Sequence, residues 1–289
     1  MVGSARDSEV APLIVVIGAA RSGTNILRDC LTGLDGFSTW PCDEINYIWR
    51  HKNRAYLHDQ FPADLARPAV VHYLRTEFSR QASHLGCKHL VEKTTANSLR
   101  VGFVHKVFPD AKFIFIYRHG LDSVYSATKR WKASLDIPYL ARKARFVPKS
   151  DIPYYGLKYL KTRIKKHTDT DNALSTWGPK PAVPLVGNVI ERAALQWSEC
   201  VRCSQDQAMH IPDHSKVIIK YEDFVNSPAD TLLATVSSLG LDCDLEAVAD
   251  ATKDVHVDSV SKARRSMDSD QLSAINRIIG PQLQRLGYE

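Results

Sequence analysis

The sequence lacks a long apolar run. No window approaches the roughly 18 uninterrupted apolar residues of a membrane-crossing helix, so no transmembrane segment is expected. The first residues, MVGSARDSEVAP, lack the apolar centre and small-residue cleavage pattern of a secretory signal. Residues 1–11 are therefore expected to be a short disordered lead-in. Cysteine is scarce, at six in 289 residues, which excludes a disulfide scaffold and fits reduced thiols in a cytoplasmic protein. There is no internal repeat and no low-complexity tract. Cys200-x2-Cys203 has metal-ligand spacing, but no second pair lies nearby, so no metal is expected there.

What is present is an ordinary globular composition, with 44% hydrophobic and 24% charged residues. The net charge is +6, unevenly spread. Between Lys129 and His167 there are 12 Lys/Arg against two acids, Asp136 and Asp151. That window carries +10 and the rest of the chain −4. A local excess of this kind suits an anionic ligand, or else a solvated basic helix face.

Short apolar runs at Leu13–Ile17, Lys112–Tyr117 and Lys216–Tyr221 read as strands, with weaker candidates at Gly36–Trp40 and His89–Glu92. Helical patterns lie between them, at Asn25–Leu34 and Ser98–Phe108, and further helices are expected near Glu191–Met209, Pro228–Gly240 and Ser269–Leu286. Asp268 is the expected N-cap of the last helix and Gly287 its stop. The alternation predicts an α/β fold, a three-layer αβα sandwich around a mostly parallel sheet. Residues 12–289 are read as one domain. The basic, Tyr- and Pro-rich stretch 129–190 is read as a helical and loop lid inserted over the site. Trp40, Trp49, Tyr154, Tyr155 and Trp177 are aromatic candidates for stacking on a ligand, weighed against ordinary packing.

Two motifs carry chemistry. LIVVIGAARSGTNILRDCL (13–31) places Gly18-x4-Gly23 between a strand and a helix, a P-loop-like phosphate-binding spacing. The lysine and Ser/Thr of a magnesium-nucleotide loop are missing, since Thr24 and Asn25 follow Gly23. The helix N-terminus, Arg21 and the small donors Ser22, Thr24 and Asn25 still make an anion cradle. It suits a 5′-phosphate without a phosphate chain or a metal. In FIFIYRHGLDSVYSATKRW (113–131), Arg118 ends a strand where ligands bind in such folds. Asp122, Ser123 and Ser126 open the next helix, so a guanidinium and a hydroxyl can meet at one phosphate.

Together these stretches resemble the 3′-phosphoadenosine-5′-phosphosulfate (PAPS)-dependent sulfotransferase family. The likeness extends through VEKTTANSLRVGFVHKVFPDAKFIFIYR (91–118), KVIIKYEDFVNSPADTLLATVSSLGL (216–241) and SVSKARRSMDSDQLSAINRIIGPQLQRLGYE (259–289), about 200 of the 289 residues. It does not cover the acceptor region 129–190 in any specific way. The resemblance implies PAPS as donor and adenosine 3′,5′-bisphosphate (PAP) as product, with no metal. It implies that the loop through Ala20, Arg21, Ser22, Gly23, Thr24 and Asn25 binds the 5′-phosphosulfate. Arg21 stands where many members carry lysine and would polarise the bridging oxygen. Arg118 and Ser126 would bind the 3′-phosphate. Ser261, Lys262, Arg264 and Arg265 offer further anion contacts, although the Arg-Lys-Gly form of some members is absent.

Transfer to a hydroxyl benefits from a general base. Some members place a histidine shortly after a lysine, but Lys93-Thr94-Thr95-Ala96-Asn97 has none. Glu44 follows the second strand, where other members, carbohydrate-modifying ones included, place a glutamate. Asp43 beside it and His119 are the alternatives. Lys93 would contact the sulfuryl oxygens or fix Glu44. The expected reaction is sulfuryl transfer to a saccharide or glycoconjugate hydroxyl. The runner-up acceptor is a small-molecule natural product or a phenol. A P-loop kinase needs the missing lysine, and a polyanion-binding module leaves the ordered loop without a purpose. No nucleic-acid partner is expected, and the oligomeric state stays open.

Overall fold

The computed structural model describes residues 12–132, 145–157, 178–180 and 188–288. The lead-in 1–11, Trp177 and most of the expected lid lie outside the described residues.

Five strands form one sheet: β1 (Leu13–Ile17), β2 (Phe37–Thr39), β3 (His89–Glu92), β4 (Lys112–Tyr117) and β5 (Lys216–Lys220), in the order β2-β3-β1-β4-β5. Every described pairing is parallel, with Val15 opposite Glu92 on one side of β1 and opposite Phe113 on the other. The β-branched and aromatic runs of β1 and β4 are buried on both faces, as the centre of a parallel sheet covered by helices requires, whereas Ile218 on the edge strand β5 is exposed. Alternate residues divide the core. Val15, Ile17, Phe113 and Phe115 face one layer, and Ile14, Val16, Ile114 and Ile116 face the other.

The second layer holds α1 (Thr24–Thr32), α7 (Tyr221–Asn226), α8 (Pro228–Ser238) and α9 (Leu245–Thr252). The first holds α2 (Asn46–Arg50), α3 (Pro68–Leu85), α4 (Val101–Val107), α5 (Gly120–Lys132), α6 (Val189–Ala208), the short α10 (Lys262–Ser266) and α11 (Ser269–Arg285). Three layers result, with β1 central. The chain passes from β1 to β2 on one side of the sheet, and from β3 it crosses β1 to reach β4 on the other. The carboxyl end of β1 is therefore the switch point at which such folds bind ligands.

The element ends have local causes. Asn188 and Glu191 form a reciprocal capping box at the start of α6, and the Asp268 carboxylate accepts the Gln271 N–H at the start of α11. Gly287 follows α11 with φ 68°. The helix expected over Ser98–Phe108 is divided. A 3₁₀ turn spans Thr95–Leu99, and α4 starts only after Arg100, whose φ is −146°. Arg100 is wholly buried, and its guanidinium reaches Asn97, Asp59 and Asn46, which holds the backbone out of helical geometry. The strand expected to reach Tyr221 stops at Lys220, because Tyr221 starts α7. Helix α3 was not expected, although Val70, Leu74, Phe78 and Ala82 face the core at fourfold spacing.

Candidate active site

The loop after β1 folds back on itself. Ser22 N–H donates to the Ala19 carbonyl at 3.2 Å, and both Arg21 (φ 67°) and Gly23 (φ 90°) take left-handed backbone. Glycine at 23 is required twice. Its φ favours glycine, and a Cβ there would lie 2.2 Å from the Tyr221 ring. Gly18 has no room either, since a Cβ would meet the Ile116 carbonyl at 2.7 Å. Helix α1 then begins with no side-chain cap, which leaves its first N–H groups without a side-chain acceptor, as at helix starts that bind anions.

The second motif meets this loop. Arg21 Nε donates to Ser126 Oγ at 3.0 Å, Arg118 Nη1 donates to the Arg21 carbonyl at 3.1 Å, and Ser22 and Ser123 hydroxyls stand 3.5 Å apart. Arg118 is buried, with its guanidinium carbon 4.4 Å from the centre of the Tyr221 ring. Desolvation lowers the Arg21 pKa, and the nearby positive charges of Arg118 and Arg130 lower it further. Two arginines held this close in a loop lined by backbone donors favour a bound anion. Arg130 was not singled out from the sequence.

The C-terminal candidates reach the site through one residue. The buried Asp122 carboxylate accepts Ser261 N–H at 2.7 Å and Ala263 N–H at 2.8 Å. This pins α10 to α5, the helix that carries Ser126. Lys262 and Arg264 are exposed on that short helix, and Arg265 donates to the Val260 carbonyl.

The acceptor-side candidates gather at the ends of β2 and β3. Glu44 Oε1 accepts Thr95 Oγ1–H at 2.6 Å and lies 3.6 Å from Lys93 Nζ. Lys93 is 5% exposed. Burial lowers its pKa, against which Glu44 and Asp43 act. Asp43 instead pairs with Arg28 at 3.1 Å. His119 sits elsewhere, beside the Tyr288 ring at 5.2 Å, with its N–H to Glu222 and its Nδ1 accepting Leu121 N–H. Of the three base candidates, Glu44 is the one that contacts Lys93. Beneath them the fully buried Glu92 accepts from Trp49 Nε1 and Asn97 Nδ2, and desolvation raises its pKa.

The described part of the expected lid packs on α2 and the residues that follow it. Tyr155 meets Tyr47 edge-on at 4.7 Å, and Tyr154 donates to the Arg54 carbonyl. Asp151, fully buried, contacts His51 and Arg54. Trp40 and Trp49 are core residues, which settles them as packing. Cys200 and Cys203 are buried on α6 with Cys203 against Gln60. Among the described residues no group of three or more His, Cys, Asp or Glu is arranged to hold a metal, and no helix is long and apolar enough to cross a membrane. An open cavity of about 870 Å³, lined by His51, Lys52, Arg54 and Arg67 among others, includes none of the phosphate-loop residues, Glu44 or Arg118.

A phosphate loop without nucleotide-hydrolase residues, facing a strand-end arginine and a helix serine in a parallel sheet, defines a class, and comparison agrees with it. Residues 12–145 match the sulfotransferase family. The sulfotransferase domain of the Synechococcus olefin synthase is similar in structure, with TM-score 0.53 and 15% identity over 96% of this chain and 95% of its own. A sulfotransferase of Mycobacterium avium gives TM-score 0.54 and 13% identity over 96% and 77%. A mouse sulfotransferase solved with PAP gives TM-score 0.51 and 11% identity over 95% and 85%. No curated protein matches the sequence. The chain has the sulfotransferase fold, and its residues 12–145 match the sulfotransferase family.

Proposed function

We propose that this protein transfers a sulfuryl group from PAPS to an acceptor hydroxyl, with Glu44 as general base. The observation that carries the reading is the meeting of two cation-bearing motifs at the end of β1, where Arg118 reaches the Arg21 carbonyl at 3.1 Å and Arg21 reaches Ser126 at 3.0 Å. One motif suits a 5′-phosphate and the other a second phosphate. A donor with both is PAPS. The loop's fit rests on its own geometry, with left-handed turns at Arg21 and Gly23, an uncapped helix start, and burial together with neighbouring arginines that depress the Arg21 pKa.

PAPS supplies an activated sulfuryl group on a good leaving group. The chain supplies charge and position. Backbone N–H groups of 20–25 and Arg21 stabilise the charge that develops on the departing phosphate oxygen. Ser126, Arg118 and the Ser261–Arg264 segment hold the far phosphate. Glu44, held by Thr95 at 2.6 Å, takes the proton of the acceptor hydroxyl. Lys93, 3.6 Å from Glu44, helps hold that carboxylate in place and offers its charge to the transferring group.

The favoured acceptor is a saccharide or glycoconjugate, because Tyr47 stands near Glu44 with Tyr155 against it, and flat rings suit sugar faces. A natural-product hydroxyl is the second reading. It is favoured by the similarity to the sulfotransferase domains of an olefin synthase and of the curacin biosynthetic pathway. The test is a PAPS-dependent acceptor screen, read as one added sulfuryl group by mass and as PAP release. A hydroxyl acceptor of either class gaining that mass is the expected result, and phosphate transfer from ATP in its place contradicts it.

A further inference from the structure

The Arg118 side chain is aimed by residues far from it in sequence. Glu222, in the first turn of α7, uses both carboxylate oxygens. Oε1 accepts the His119 backbone N–H at 2.9 Å, and Oε2 accepts the Tyr288 hydroxyl at 2.6 Å. The same hydroxyl lies 3.4 Å from the Tyr117 carbonyl. Residues 117 and 119 are thus tied to one carboxylate–phenol pair, with Arg118 between them. The pair is itself anchored. Lys220 Nζ lies over the Tyr288 ring at 4.9 Å and 3.5 Å from the Gly287 carbonyl. Tyr221 supports the guanidinium face at 4.4 Å, and the Arg21 carbonyl takes one of its N–H groups. Burial of Tyr288 and its bond to Glu222 push the phenol pKa up, so the hydroxyl keeps its proton at neutral pH.

Arginine binds a phosphate through a planar fork, and its value depends on direction. A shift near 1 Å in a positioning contact is enough to lose much of it. We propose that Glu222 and Tyr288 are positioning residues for the 3′-phosphate subsite, acting through the 117–119 backbone to aim Arg118. This rests on the PAPS reading above. It assigns the Tyr288 end of the chain a part in donor selection, with a ribose 3′-phosphate monoester as the group selected.

The test compares two nucleotides by calorimetric titration, PAP and adenosine 5′-monophosphate, which lacks the 3′-phosphate. The proteins are wild type, Tyr288→Phe, Glu222→Gln, Arg118→Ala and Tyr288→Phe combined with Arg118→Ala. Tyr288→Phe keeps the ring and removes one hydroxyl, and Glu222→Gln keeps an acceptor for His119 N–H, so both variants retain the packing. Each single positioning variant is expected to weaken PAP about tenfold, the worth of one charge-assisted hydrogen bond, and to leave the monophosphate within about twofold. In the Arg118→Ala background Tyr288→Phe is expected to add no further loss. Equal weakening of both nucleotides, or an unchanged PAP preference in the variants, overturns the assignment while leaving the PAPS reading in place. A wild-type protein that does not distinguish the two nucleotides overturns that reading, and this assignment with it.

Discussion

Replacing Glu44 with glutamine separates proton removal from every other role of the residue. Glutamine keeps an oxygen for the Thr95 hydroxyl, now at 2.6 Å, so the side chain stays in place. It loses the charge 3.6 Å from Lys93, a residue only 5% exposed. Leaving a buried cation with a weaker partner costs about 1–3 kcal/mol of stability. Asp43 is not a full replacement, because Arg28 already holds it at 3.1 Å. Loss of a positioned general base slows turnover about 10²–10⁴-fold, or roughly 3–5 kcal/mol in the barrier. The assay is PAP release at saturating acceptor, alongside a PAP titration that is expected to move less than about threefold, since the side-chain contacts of Glu44 described above are to Thr95 and Lys93. Asp43→Asn serves as the control, with a loss below about tenfold. Near-wild-type turnover in Glu44→Gln refutes the assignment of the base. So does a fall in PAP affinity that matches the fall in rate.

Three other perturbations follow from the same geometry. Gly23→Ala forces a Cβ to within 2.2 Å of the Tyr221 ring at φ 90°, so a stability loss of about 2–4 kcal/mol is expected by urea unfolding, with PAP binding lost in parallel. Asp122→Ala removes the acceptor of two backbone N–H groups at 2.7 and 2.8 Å, and freed Ser261–Arg264 contacts are expected to appear as weaker PAP binding and as new proteolytic cleavage near α10. His89 is held below its ordinary pKa by burial, so the unfolded chain takes up its proton first as pH falls. Stability is then lost from about pH 6.5 downward, until the folded histidine is also protonated, and His89→Gln is expected to flatten that part of the urea-midpoint profile.

The legible part of the molecule is what local sequence dictates. The apolar β-branched runs marked all five strands, and glycine spacing with a following amphipathic helix marked the phosphate loop. Arg118 and Ser126 were legible because both follow β4 within one strand–helix unit, but their direct hydrogen bonds to Arg21 were not. Helix α3 escaped although Val70, Leu74, Phe78 and Ala82 carried the period, because polar residues separate those positions and weaken the pattern. The break at Arg100 was not legible, since its cause lies in Asp59 and Asn46, residues over 40 positions away. The surroundings of Glu44, Asp43 and His119 were illegible for the same reason. Arg28 pairs with Asp43 from α1, and Glu222 accepts the His119 backbone N–H from α7. Asp122 looked like a helix-start residue and proved to be the tether of α10, a contact across 139 residues.

The central claim is that the loop and Arg118 together bind a nucleotide with phosphates at both the 3′ and 5′ positions. Thermal unfolding with PAP, in the absence of Mg²⁺, tests it most directly. At a ligand concentration near one hundred times its Kd, PAP is expected to stabilise the protein by about 2.7 kcal/mol, which is about 4 °C in Tm for a chain of this length. Stabilisation by ATP with Mg²⁺, and none by PAP, contradicts the account.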